Sequence, residues 1–151
     1  MERKKMNSYD FKNQVAVVTG GANGIGYSVA ERLSKSGASV KIWDLDIEAA
    51  QTAAETINAE AVECDITDWI SVQNATETSI NGSEKIDILV NSAGIAGPND
   101  TVIDYDNKAW DRIISVNLTG TYYVNKAVVP HMKANGYLSL IHISEPTRPP
   151  E

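Results

Sequence analysis

A glycine cluster set between a short β-branched run and a helical pattern constrains this chain more than any other feature. The run is Val15-Ala-Val-Val-Thr19, and Gly20-Gly-Ala-Asn-Gly-Ile-Gly26 follows it directly. Ile25, Val29, Ala30 and Leu33 then recur at helical spacing, and Gly37 stands where a helix C-cap belongs. A strand that is apolar on both faces and turns at once into a helix belongs to a covered parallel sheet. Within the turn the glycines have separate tasks. Gly20 permits the tight bend, Gly24 lets backbone approach a pyrophosphate, and Gly26 lets the helix pack closely on the strand. The free N–H groups and positive dipole end of the helix would hold that anion, with Asn23 and Ile25 in the same loop. The spacing is G-x-x-x-G-x-G, not the commoner G-x-G-x-x-G.

The alternation continues along the chain. Ser39-Val-Lys-Ile-Trp43 is a second strand, and Asp46 is placed to cap a helix running to about Ile57. Ala61 to Cys64 is a short third strand, and Thr67 or Asp68 opens a helix that ends near Gly82. Ile86 to Val90 is a fourth strand. After a loop holding Gly94 and Pro98, one long helical pattern runs from about Asn107 to Lys133 and Gly136 stops it. Strands alternating with helices imply parallel pairing through right-handed crossovers. The expected class is therefore α/β, a doubly wound parallel sheet, with its ligand at the carboxyl ends of the strands.

Asp44 ends the second strand, where a carboxylate can accept both hydroxyls of an adenosine ribose. Its charge would repel a 2′-phosphate, and no Arg or Lys lies within the glycine loop to compensate. NAD is accordingly expected over NADP. Composition narrows the remaining classes. With 42% hydrophobic and 22% charged residues over 151 positions, the chain has the make-up of one globular domain. The net charge of −7 argues against a nucleic-acid partner. No apolar run approaches the roughly 20 residues that cross a bilayer, and the basic start lacks the apolar stretch of a secretory signal. A single cysteine, Cys64, excludes an internal disulfide and fits a cytoplasmic location. Neither His131 nor His142 has partners suggesting a metal site, and none is expected.

These residues together resemble the short-chain dehydrogenase/reductase family over about residues 10 to 137, with 3-oxoacyl-carrier-protein reductases and sugar or polyol dehydrogenases among its similar members. The resemblance rests on Thr19 to Gly26, Asp44, Cys64-Asp65-Ile66, Asn91-Ser-Ala-Gly94 and Asn117, in that order. It implies adenine contacts from the Asp65 side chain and the Ile66 backbone. It implies that Asn91, Ala93 and Gly94 steady the sheet and border the cofactor, with Ser92 in place of the usual second Asn. It implies that Asn117 distorts its helix and holds a water in a proton relay. The reaction implied is hydride transfer between a small alcohol or ketone and a nicotinamide, in a homo-oligomeric parent.

The family's acid/base, a Tyr-x-x-x-Lys with a preceding Ser, follows its fifth strand. Tyr122-Tyr-Val-Asn-Lys126 matches that text but precedes the fifth strand, so it is read as helix surface. In the fifth-strand place stands Leu138-Ser-Leu-Ile-His-Ile-Ser-Glu-Pro-Thr-Arg148, which resembles an in-frame translation of a transposase sequencing adapter. The expected organisation is thus an incomplete dinucleotide-binding domain at 1–137 and a non-native tail at 138–151. Leu138, Leu140, Ile141 and Ile143 are apolar enough to occupy a strand slot regardless, which would bring Ser144 near the catalytic serine's place without supporting that role. Two other readings compete: a complete non-catalytic nucleotide-sensing domain, and a methyltransferase, against which the Asn91 to Gly94 turn and Asn117 argue.

Overall fold

The computed structural model describes residues 9–81, 85–136 and 139–142. Strand β1 (Val15–Thr19) leads into helix α1 (Gly24–Lys35), followed by β2 (Ser39–Asp44), α2 (Ile47–Ile57), β3 (Glu60–Glu63), α3 (Trp69–Asn81) and β4 (Ile88–Asn91). Helix α4 (Asn107–Ile113) then passes through a π-helical segment (Ile114–Gly120) into α5 (Thr121–Ala134), and β5 (Ser139–His142) closes the described fold. The strands lie in the order β3-β2-β1-β4-β5, all parallel. The expected doubly wound sheet is present, and its order reverses between β1 and β4.

Alternation along the strands divides the core into two layers. Ala16 and Val18 of β1, Val40 and Ile42 of β2, and Ile88 and Val90 of β4 pack with Ala30, Leu33, Ala50 and Ala54 of α1 and α2. Val17, Trp43 and Leu89 point the other way, onto Val72 and Ala75 of α3 and Val124, Val128 and Met132 of α5. Both faces of the central strands are dry, which is why their sequences read as apolar runs. Trp43 is fully buried, and its indole N–H donates to Ser79 Oγ at 2.9 Å, anchoring the end of β2 to α3.

Local signals behave as the sequence predicts at the helix ends. Asp46 accepts from the Ala49 N–H at 3.0 Å and caps α2. Gly37 has φ +97°, and the Gly37 and Ala38 N–H groups return to the Ser34 and Leu33 carbonyls, ending α1. The long helix expected over 107–133 is the main departure. It widens over Ile114–Gly120, so the chain makes α4 and α5 separated by a π turn, with Asn117 in its middle.

β5 pairs with β4 over Ser139–His142, in the slot that the tail's apolar pattern allowed. The strand therefore extends the sheet beyond the expected limit at 137. Leu140 and Ile141 remain 43% and 40% exposed at this edge of the sheet. Leu138, Ile143 and Ser144 lie outside the described residues.

Candidate functional site

The carboxyl ends of β1 to β4 open into a cleft of about 600 Å³ at the point where the strand order reverses. Of the residues singled out from sequence, Gly20, Asn23, Gly24, Ile25, Gly26, Asp44, Asp65, Ile66, Ala93, Gly94 and Asn117 all line it. Asn91 does not. It sits buried beneath the cleft at the end of β4, its Nδ2 3.4 Å from Asn125 Oδ1 on α5.

The glycines of the first turn are required for different physical reasons. Gly20 has φ +63°, and a Cβ there would come within 2.8 Å of the Ala93 Cα. The loop thus lies against the turn after β4 with no room for a side chain. A Cβ on Gly26 would run into the Gly20 carbonyl, which fixes how closely α1 approaches β1. Gly24 has φ +56° and faces open space. Asn23 precedes α1 without any side-chain cap, and the Gly24, Ile25 and Gly26 N–H groups donate to no acceptor among the described residues. A helix start with unspent donors, beside a position stripped of its Cβ, fits a phosphate group.

Asp44 is held in place by backbone. Its Oδ2 accepts from the Ala22 N–H at 3.1 Å and its Oδ1 from the Asp46 N–H at 3.2 Å. Each oxygen keeps acceptor capacity beyond its one backbone bond, and Asp44 lines the cleft, so a hydroxyl donor there has an acceptor. Asp65 turns its Oδ1 back to the Thr67 N–H and hydroxyl, at 2.9 and 2.7 Å, which folds the β3–α3 connection into a tight turn. Ile66 packs its side chain against Gly120 of the π segment, where a Cβ would be 2.7 Å away.

The opposite wall is built by Thr19 and Asn117. The Thr19 hydroxyl accepts from the Ser92 and Ala93 N–H groups, both at 3.1 Å, and so pins the Asn91-Ser-Ala-Gly94 turn to the end of β1. Asn117 clamps the next residue. Its Oδ1 accepts from the Ile95 N–H and its Nδ2 donates to the Ile95 carbonyl, each at 2.9 Å. That leaves one Oδ1 lone pair and one Nδ2 hydrogen for a water.

Sequence reading assigned no task to Thr19, Cys64, Arg112, Val116 or His142, yet all but Thr19 line the cleft and Thr19 holds its wall. A hydroxyl residue ending an apolar strand was the signal for Thr19. Burial pushes the Cys64 thiol from 9.0 up to about 12; a hydrogen bond with Ser71 opposes this, and the Asp65 and Asp68 charges reinforce it. Cys64 is therefore a neutral wall residue. Tyr122 and Lys126 stand outside the cleft: Lys126 Nζ lies 5.1 Å from the Trp69 ring centroid and 5.6 Å from that of Tyr122, which is itself 56% exposed. No group of three or more His, Cys, Asp or Glu among the described residues is arranged to hold a metal. No described helix is long and apolar enough to cross a membrane.

Comparison with known proteins agrees with this architecture. The chain is 38% identical over 135 residues to a 2-dehydro-3-deoxy-L-rhamnonate dehydrogenase (NAD(+)) of a Sphingomonas species, covering 89% of this chain and 54% of that one. A Brucella melitensis 3-ketoacyl-(acyl-carrier-protein) reductase, solved with NADH, superposes with a TM-score of 0.84 at 34% identity, covering 88% of this chain and 57% of that one. A second Brucella melitensis structure, described as a ribose-5-phosphate isomerase, gives a TM-score of 0.87 at 32% identity, covering 90% and 53%. The chain spans about half the length of the curated relatives it matches. Residues 14–145 match the short chain dehydrogenase family, and the chain belongs to it.

Proposed function

We propose that this chain is the NAD-binding part of an oxidoreductase that interconverts an alcohol and a ketone. One observation carries the cofactor preference: the Asp44 carboxylate is fixed beside the glycine loop by the Ala22 N–H. There it suits an unsubstituted adenosine ribose and opposes a 2′-phosphate. In this reading the open N–H groups of α1 hold the pyrophosphate, Asp65 and the Ile66 backbone bound the adenine, and Ala93 and Gly94 form the wall that Thr19 supports. Asn91 steadies that wall from beneath. Asn117 is a positioning residue whose amide ties the Ile95 turn to the widened helix and orders a water. The nicotinamide supplies or accepts the hydride when bound.

The Tyr-x-x-x-Lys acid/base implied by the family is proposed to belong to the longer parent, with cofactor binding the part assigned to this chain. Its alcohol or ketone substrate belongs to the longer parent, for which we also propose a cytoplasmic location and a homo-oligomeric state. Trp110, Leu118 and Tyr122, 58%, 64% and 56% exposed along α4 to α5, supply apolar surface for such assembly. Residues 138–151 are proposed as adapter-derived. On this proposal the pairing of β5 reflects Leu140 and Ile141 suiting a strand slot, and the family match runs on through residue 145. The nucleotide sequence around codon 138 decides this point.

Calorimetric titration tests the cofactor reading. NAD should bind at least about tenfold more tightly than NADP, the order of one charge-assisted hydrogen bond gained and one charge repulsion avoided. Asp44→Ala should erase the difference. Equal binding of the two cofactors by the unaltered chain refutes the preference.

A further inference from the structure

Arg112 is a cation on the rim of the cleft with no hydrogen bond or ion pair to any described residue. Two carboxylates, Asp44 and Asp65, line the same cleft, yet neither comes within ion-pair distance of its guanidinium. It is the penultimate residue of α4, two positions before the π segment begins at Ile114. The widened turn closes i to i+5, so residues five apart come nearly into line, and Arg112, Val116 and Asn117 all line the cleft. Two contacts place this stretch on the adenine side. Val116 packs on the layer containing Ile66 and Cys64, and Gly120, one turn further on, lies against Ile66 itself. Arg112 thus lines the cleft together with Asp65, Ile66 and Thr67, one helical turn before Val116, which packs on the Ile66 layer.

An unpaired planar cation above an apolar wall is suited to lie over the face of a purine, where Arg stacks as Lys does not. We infer that Arg112 is an adenine clamp, a positioning residue that closes the outer face of the base against the Ile66 and Val116 side. The inference rests on the nucleotide-binding reading above. It adds a contact that involves neither the phosphates nor the ribose.

Titration of adenosine, AMP and NAD into the full chain and its Arg112→Ala and Arg112→Lys variants separates the possibilities. Arg112 is exposed and unpartnered, so both variants should keep the far-ultraviolet circular dichroism of the unaltered protein. The expected result is a loss of about two- to fivefold for all three ligands in Arg112→Ala, with only partial recovery in Arg112→Lys. A loss confined to AMP and NAD, restored by Lys and abolished by salt, would assign Arg112 to phosphate and overturn the clamp. Unchanged binding of all three in Arg112→Ala also overturns it while leaving the cofactor reading intact. If the unaltered chain binds none of them, the cofactor reading fails and the clamp with it.

Discussion

Gly26→Ala sets two physical effects against each other. Gly26 is inside α1, and its φ is not in the left-handed region, so helix propensity alone favours alanine by about 1 kcal/mol. The space does not allow it. The added methyl would run into the Gly20 carbonyl oxygen, lie 2.9 Å from the Gly20 carbonyl carbon and 3.1 Å from the Gly21 Cα. All three are backbone atoms, so no side chain can swing aside. Overpacking of this kind costs about 1–3 kcal/mol. Relief requires moving Gly20, whose N–H donates to the Trp43 carbonyl at 2.8 Å and whose Cα side already abuts Ala93. Losing that hydrogen bond costs about 1 kcal/mol more. The variant should therefore be less stable by about 2 kcal/mol, a shift of roughly 1 M in the urea midpoint for a chain of this size. Its NAD affinity should fall as well, because α1 can no longer keep its unspent N–H groups at the cleft. Gly24→Ala is the paired control, with open space but φ +56°, so its cost of about 1–2 kcal/mol comes from the dihedral alone. A Gly26→Ala variant as stable as the unaltered protein, or more so, would refute the account of why this residue is glycine.

Other consequences are testable by simpler means. Asp87 is buried and its Oδ2 accepts from the Val15 N–H at 2.7 Å and Lys85 Nζ at 2.9 Å, so Asp87→Ala should cost about 1.5–3 kcal/mol in denaturant titration without changing the NAD-to-NADP ratio. Cys64 should resist maleimide at neutral pH while folded and react once unfolded, since its thiol is held up to about 12. The same shift fixes a pH dependence. From about pH 9 to 12 the unfolded chain gives up this proton while the folded chain keeps it, so stability falls as pH rises, by at most about 1.4 kcal/mol per unit. Cys64→Ala should lose that component, and matching slopes for the two proteins over this range would count against a buried neutral thiol.

The legible parts of this molecule are those that depend on near neighbours in sequence. The apolar runs of β1 and β4, the glycine loop, the Asp46 cap and the Gly37 helix end all depend on residues within a turn or two. The carboxylate at Asp44 could be placed because a strand end and a glycine loop share one edge of a parallel sheet. The widening over Ile114–Gly120 was hidden from periodicity. It depends on Gly120 fitting against Ile66 and on Asn117 reaching across to the Ile95 backbone, contacts between segments far apart in the chain. Arg112 was unreadable for the same reason, since its place on the cleft depends on how its helix packs against segments far away in the chain. Thr19 was quoted as part of a motif without a task because the N–H groups that donate to its hydroxyl, those of Ser92 and Ala93, come from the turn after β4, more than 70 residues further along the chain.

The central place of β1 also sets an order of assembly. Ala16 pairs with Val40 on one side and Ile88 on the other, so the second closure spans three times as much chain as the first. Loop entropy makes the longer closure about 1 kcal/mol harder, a several-fold difference in rate if nothing else intervenes. On a growing chain the difference is larger, because β1, α1 and β2 are all synthesised before β4 exists. The glycine-loop half of the cleft thus belongs to a β-α-β unit that can form early. The Thr19 hydroxyl waits, already positioned, for the turn that completes the cleft.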